Sequence, residues 1–145
     1  MPLPTQNYEN HRRYFPLFHF FAFPIVGINA IVALVDVVEH PTLRGAWYLV
    51  FSIGVAAGFL AARASTLTVQ DRLIGLEMRL RLAAVLPPEL RLRIPELRLR
   101  HLVGLRFAGD SELPRLVQRC LDGELRTADQ VKQEIQEWRA DFVRA

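Results

Sequence analysis

The sequence predicts an all-α protein: a transmembrane helical hairpin followed by a small cytosolic helical domain. Three observations carry this. Two long apolar stretches, Tyr14 to Val35 and Ala46 to Ala62, lie close together near the N-terminus. Everything after them is polar, Arg-rich and patterned at helical spacing. That polar half is also punctuated by helix starts and stops. A bilayer restricts such spanning stretches to helices, because every backbone donor and acceptor has to be satisfied inside the segment. The expected divisions are a polar N-terminal segment over 1–13, the hairpin over 14–66 and an amphipathic helical domain over 67–145.

The first stretch holds 22 residues with no charge unless His19 is protonated, and a span needs about 20. His11-Arg12-Arg13 before it mimics the basic start of a signal peptide. The apolar run exceeds the roughly 7–15 residues of a signal core, and no small-residue cleavage site follows, so a retained span is expected. Its start is aromatic, from Tyr14 and Phe15 to Phe23. Pro16 falls near the first turn, where it costs little, whereas Pro24 is interior and should kink the helix. Asn29 is the deepest polar group and is expected to bond to a neighbouring helix.

The second stretch is 17 residues long, near the short limit, and runs on into Arg63, whose side chain can snorkel toward lipid phosphate. It contains Gly54-Val-Ala-Ala-Gly58, extended by Ala62. Spacing of four puts these small residues on one helix face, where another backbone can approach closely. Span one, a second copy or a foreign helix would each fit. Trp47 and Tyr48 suit the outer interface.

Orientation follows from the basic flanks. Arg12 and Arg13 precede the first span, and Arg63, Arg72, Arg79 and Arg81 follow the second; the loop from Asp36 to Gly45 has Arg44 against Asp36 and Glu39. Both termini are therefore expected in the cytoplasm, with Arg12, Arg13 and Arg63 as lipid-facing charges. Cys120 is the single cysteine, which excludes an intrachain disulfide and suits a reducing compartment.

In the polar half, Val69, Leu73, Leu76 and Leu80 recur at spacings of four and three, with Leu67, Ile74, Met78 and Leu82 widening the stripe. Gln70, Asp71, Arg79 and Arg81 face elsewhere. The stripe Val69, Leu73, Leu76 and Leu80 is expected to be the docking surface of the tail, covered by the tail helices, by lipid or by a partner. Either a new helix starts at the Thr68-Val-Gln-Asp71 capping signal, or span two runs on until Pro87-Pro88 stops it. Pro88-Glu-Leu-Arg-Leu-Arg93 then recurs as Pro95-Glu-Leu-Arg-Leu-Arg100. Proline at a helix start with glutamate behind it makes both copies helical, with Glu89–Arg93 and Glu96–Arg100 pairs. A helix from Glu112 to Leu121 should stop at Gly123. A last one, opened by Thr127-Ala-Asp-Gln130, should turn Val131, Ile135, Trp138 and Phe142 inward.

Catalytic signatures are missing: there is no HExxH, CxxC, Walker loop, GxGxxG or GxSxG. The histidines at 11, 19, 40 and 101 lack metal-ligand spacing. No catalysis, cofactor or metal is expected. Arg91, Arg93, Arg98, Arg100 and Arg106 are a basic group that suits phosphate, but aromatic interleaving is missing and 12 acidic residues follow Arg63. Lipid headgroups fit this better than nucleic acid, which is not an expected partner.

Thr5-Gln-Asn-Tyr-Glu-Asn-His-Arg-Arg13, Gln70-Asp-Arg-Leu-Ile-Gly-Leu-Glu-Met-Arg-Leu-Arg81 and Leu105-Arg-Phe-Ala-Gly-Asp-Ser-Glu-Leu-Pro114, in that order, resemble an uncharacterised family of small bacterial two-span inner-membrane proteins with a helical cytoplasmic tail. The resemblance covers nearly the whole chain and implies a bacterial inner-membrane location. It brings no activity or ligand. The leading expectation is a non-catalytic membrane interaction protein, an accessory or scaffold subunit, whose partners are the bilayer and another membrane protein or itself. An oligomeric ion channel or transport pore stands second, and a membrane-tethered nucleic-acid binder third.

Overall fold

The architecture comes from a computed structural model, which describes residues 6–9 and 15–141. A π-helical turn, Leu17–Ala22, leads into α1 (Phe23–Glu39); α2 (Leu43–Val85), α3 (Pro88–Arg91), a 3-10 turn (Ile94–Glu96), α4 (Leu99–Leu105), α5 (Leu113–Leu121) and α6 (Ala128–Gln133) follow. Among the described residues there is no strand, only an isolated antiparallel bridge between Ala108 and Trp138. The fold is all-helical. The chain divides into two compact units, one over Tyr14–Leu67 and one that joins residues 6–9 to 68–141.

The first unit is a helix pair. Pro24 has no N–H to give and its ring presses on the carbonyl four residues back. The chain answers with π-helical winding just before it: the Phe23 N–H bonds to the Phe18 carbonyl, five residues back. The irregularity expected at Pro24 is thus taken up one turn earlier, and Pro24 itself sits in the first turn of α1. The connection is tighter than the expected Asp36 to Gly45 loop, because α1 continues to Glu39 and α2 begins at Leu43. The Gly45 N–H is capped by Thr42 Oγ1 at 3.0 Å. A Cβ on Gly45 would lie 3.2 Å from Val37 Cγ2 and 3.3 Å from Asp36 Oδ2, so a side chain here would crowd the turn. Both helices are long and apolar enough to cross a membrane.

Of the two readings of the stretch after Ala62, the continuous one is seen. No break occurs at Thr68, and α2 ends where Pro87-Pro88 forbids helix. The second unit builds its core on Ile74, Met78, Leu82 and Leu86 of α2, against Leu102 and Leu105 of α4, Leu113, Leu116 and Val117 of α5, and Val131 of α6. Leu82, Leu86, Leu102, Leu105 and Leu113 are fully buried, each worth about 1.5–3 kcal/mol.

Two expected helices are shortened. The second Pro-Glu-Leu-Arg copy is split: Pro95 and Glu96 lie in the 3-10 turn, Leu97 is extended and α4 starts at Leu99. Burial of Ile94 and Leu97 fixes this turn, and Arg93 pairs with Glu96 (2.9 Å) instead of Glu96 with Arg100. The last helix has its capping box, with Thr127 Oγ1 accepting from the Gln130 N–H, yet it ends at Gln133. The Gln136 and Glu137 N–H groups go to the Glu112 carboxylate at 3.1 and 3.2 Å, and the Gly109 N–H takes the Glu137 carbonyl at 2.8 Å. Donors and acceptors engaged in this way cannot serve a helix. Trp138 therefore packs on Phe107 from a bridge, with ring centroids 5.2 Å apart. Phe142 lies outside the described residues.

Candidate interaction surfaces

In the helix pair the polar groups turn inward. Asn29 Nδ2 donates to Ser52 Oγ at 2.9 Å, the Tyr48 hydroxyl donates to Asn29 Oδ1 at 2.6 Å, and the Ser52 hydroxyl donates to the Tyr48 carbonyl at 2.9 Å. Asn29 thus spends its side chain on the neighbouring helix. His19 folds back on Phe15, with its Nδ1 3.2 Å from the Phe15 backbone nitrogen. Near the other end of the pair, Phe18 stacks on Phe59 at 4.6 Å and the Arg63 guanidinium lies 5.2 Å above the Phe18 ring. Arg63 is half-buried over an aromatic face, which no sequence spacing indicated. Arg12 and Arg13 lie outside the described residues.

Gly54, Gly58 and Ala62 are exposed, and a Cβ on either glycine would meet no atom within 4 Å. Their face is not the one that holds α1; Ser52, Phe59 and Gly45 hold it. The close contact this spacing permits is not made within the chain.

The tail shows a second displacement. Val69, Leu73, Leu76 and Leu80 are 54–66% exposed. The tail helices cover the other side of α2, the Ile74, Met78, Leu82 and Leu86 face, which the spacing had marked only as widening. Of the three expected covers for the Val69-to-Leu80 stripe, the tail helices do not serve among the described residues, which leaves lipid or a partner. Val69, Leu73 and Leu76 instead line, with Arg72, Arg79 and Leu99, an open groove of about 570 Å³. Arg81, read only as facing away from the stripe, is mostly buried: its guanidinium donates to the Arg106 and Ala108 carbonyls at 3.2 and 2.7 Å and pairs with Asp110. Its charge holds the chain after α4, work invisible in a pattern that counts only apolar positions.

The N-terminal segment is not a free flank. The Asp141 N–H donates to Gln6 Oε1 at 2.8 Å, and Gln133 Nε2 donates to the Tyr8 hydroxyl at 3.1 Å. Only the clustering of polar residues in Asn7-Tyr8-Glu9 hinted at such contact. Cys120 is buried, and desolvation pushes its thiol up to about 11, so it is a neutral core group. Among the described residues no three His, Cys, Asp or Glu side chains gather as a metal site.

With these surfaces placed, comparison with known proteins gives a family. The chain belongs to the family of unknown function DUF6526, whose model matches residues 1–145. No curated protein and no solved structure matches it. Its function therefore has to be argued from the family member's own surfaces: the small-residue face of the first unit and the leucine stripe of the second.

Proposed function

We propose that this protein is a non-catalytic interaction subunit of the bacterial inner membrane, an accessory or scaffold component that docks onto itself or a larger membrane complex. The observation that carries this reading is the exposed Val69, Leu73, Leu76 and Leu80 stripe. A folded domain that has already buried a full apolar face on one side of α2 rarely leaves a second row of leucines in water, because contiguous apolar patches mark interaction sites. The free glycine face supports the same reading inside the bilayer. Two features favour the hairpin with both termini in the cytoplasm: the arginine flanks, and the bonds of Gln6 and Tyr8 to the tail, which need the segment before the first helix on the tail's side. A pore is disfavoured, since Asn29, its deepest polar candidate, is already hydrogen-bonded.

The test is native mass spectrometry of the full chain purified in mild detergent, for the parent and for Leu73→Asp/Leu76→Asp. The parent should retain a second copy or a foreign subunit, and the variant should lose it while its tail stays as protease-resistant as the parent's. A bare parent monomer overturns the reading. Reporter fusions at residue 1, in the Glu39 to Thr42 turn and after Ala145 test the orientation, and a periplasmic signal at either end excludes it.

A further inference from the structure

Of the five arginines clustered between Arg91 and Arg106, three have structural duties. Arg91 Nε donates to the Leu86 carbonyl at 2.6 Å. Arg93 holds Glu96 with two hydrogen bonds, at 3.0 and 2.9 Å. Arg106 is buried, pairs with Asp141 at 3.1 Å and lies 4.3 Å over the Phe107 ring. Arg98 and Arg100 are different. Both are exposed, and neither side chain makes a hydrogen bond or ion pair among the described residues.

These two line one cleft of about 490 Å³ together with Arg126, His101, Cys120 and Glu96. Three guanidinium groups thus face a single acid, and that acid is committed to Arg93. Arg126 uses only its Nε locally, donating to the Gly123 carbonyl at 3.1 Å. Cys120 adds no charge. His101 is the telling residue: it is 7% exposed, and neither ring nitrogen has a hydrogen-bond partner. The Arg126 carbonyl lies close enough to favour a proton on the ring, but not in hydrogen-bonding geometry. The ring nitrogens are buried from solvent, so the ring lies in the lining of the cleft and senses the charge that enters it.

We propose that this cleft binds a phosphate-type oxyanion, held by the Arg98, Arg100 and Arg126 guanidiniums with His101 beneath it. The chemistry selects the class. Cations are repelled by three guanidiniums, whereas the planar fork of each matches two phosphate oxygens at once. Burial and the Arg100 and Arg98 charges disfavour a proton on the His101 ring, and an anion seated among the arginines above it would offset those charges. The same group can come from a free phosphate or from a lipid headgroup, and both sources share this recognition.

The experiment titrates inorganic phosphate into the full chain in an uncharged detergent, following the His101 ring resonances by NMR and affinity by calorimetry. A parallel arm places the protein in nanodiscs of phosphatidylglycerol or of phosphatidylcholine without free phosphate. Saturable phosphate binding with a shift of the His101 resonances is expected. It should weaken at least tenfold in Arg98→Gln/Arg100→Gln and stay unchanged in Arg44→Gln, a charge control on the helix pair. Since Arg98 and Arg100 hold nothing else, the variant should keep the parent's circular dichroism. A His101 shift specific to phosphatidylglycerol assigns the site to headgroups; a shift with free phosphate alone assigns it to a soluble ligand. Silent His101 resonances in both arms, or affinity untouched by the double variant, overturn the proposal.

Discussion

Asn29 and Ser52 join α1 to α2 through a side-chain hydrogen bond of 2.9 Å, and Ser52 is almost fully buried by it. The bond sits in the apolar middle of a helix pair that has few other polar contacts. Replacing Asn29 by Leu also strips the Tyr48 hydroxyl of its acceptor. Such bonds within membranes are worth about 1 kcal/mol each, since the separated helices find other partners. Asn29→Leu should thus lower thermal stability in detergent modestly while improving insertion. An unchanged melting temperature would show that Phe18–Phe59 stacking alone holds the pair.

Glu112 plays the same part in the tail with a full charge. Its buried carboxylate accepts from the Gly109, Gln136 and Glu137 N–H groups at 3.3, 3.1 and 3.2 Å. Glu112→Ala leaves the Gln136 and Glu137 N–H groups unpaired, while the Gly109 N–H keeps the Glu137 carbonyl, and should cost roughly 3 kcal/mol, as lost hydrogen bonds to a carboxylate and stranded donors do. Urea unfolding followed by Trp138 fluorescence, in a Trp47→Phe background, reads it directly. A loss below about 1 kcal/mol would mean that water replaces the carboxylate.

How far the sequence could be read depends on which side of α2 is considered. The two long apolar helices, the proline stop after Val85, the Gly123 stop with its positive φ of 80° and the Thr127 capping box are all local signals, and local signals survive folding. Burial is not local. Val69, Leu73, Leu76 and Leu80 and the set Ile74, Met78, Leu82 and Leu86 are both apolar rows at helical spacing. Only the return of α4, α5 and α6 decides which row becomes core. The candidate anion cleft was partly legible: Arg98 and Arg100 were two of five arginines read as phosphate-suited, but nothing in the spacing set them apart from Arg91, Arg93 and Arg106 or joined them to Arg126 or His101. Their meeting depends on the split of the second Pro-Glu-Leu-Arg copy, which only the packing of Ile94 and Leu97 explains.

Two kinds of glycine should behave in opposite ways. A Cβ on Gly104 would lie 2.9 Å from Val131 Cβ and 3.0 Å from the Ala128 carbonyl, where α4 crosses α6. Gly104→Ala should destabilise the tail by about 1–3 kcal/mol through overpacking. A Cβ at Gly54 or Gly58 meets no atom of the described residues within 4 Å, so Gly54→Leu/Gly58→Leu should leave monomer melting unchanged and act on assembly size. Reduced melting of an isolated Gly54→Leu/Gly58→Leu monomer would refute the placement of this face away from α1.

His101 supplies a pH signature. Burial, with Arg100 and Arg98 nearby, lowers its pKa in the folded tail below the ordinary 6.5, and the opposing pull of the Arg126 carbonyl does not offset this. The unfolded chain therefore binds a proton near 6.5 that the folded chain accepts only at lower pH. Unfolding takes up protons in that interval, so stability is greatest with the ring neutral and falls as pH drops below about 6.5. Two tail carboxylates titrate below the window from about pH 7 to 5.5. Glu96 and Glu134 have pKa values lowered by hydrogen bonds from Arg93 and Arg119, and they stay ionised throughout. Urea midpoints of the parent, in anion-poor buffer, should decline across the window, and those of His101→Gln should stay nearly flat. Adding phosphate should shrink the parent's decline, because an anion in the cleft compensates a protonated ring. Parallel slopes for parent and variant would show that the proton is taken up elsewhere.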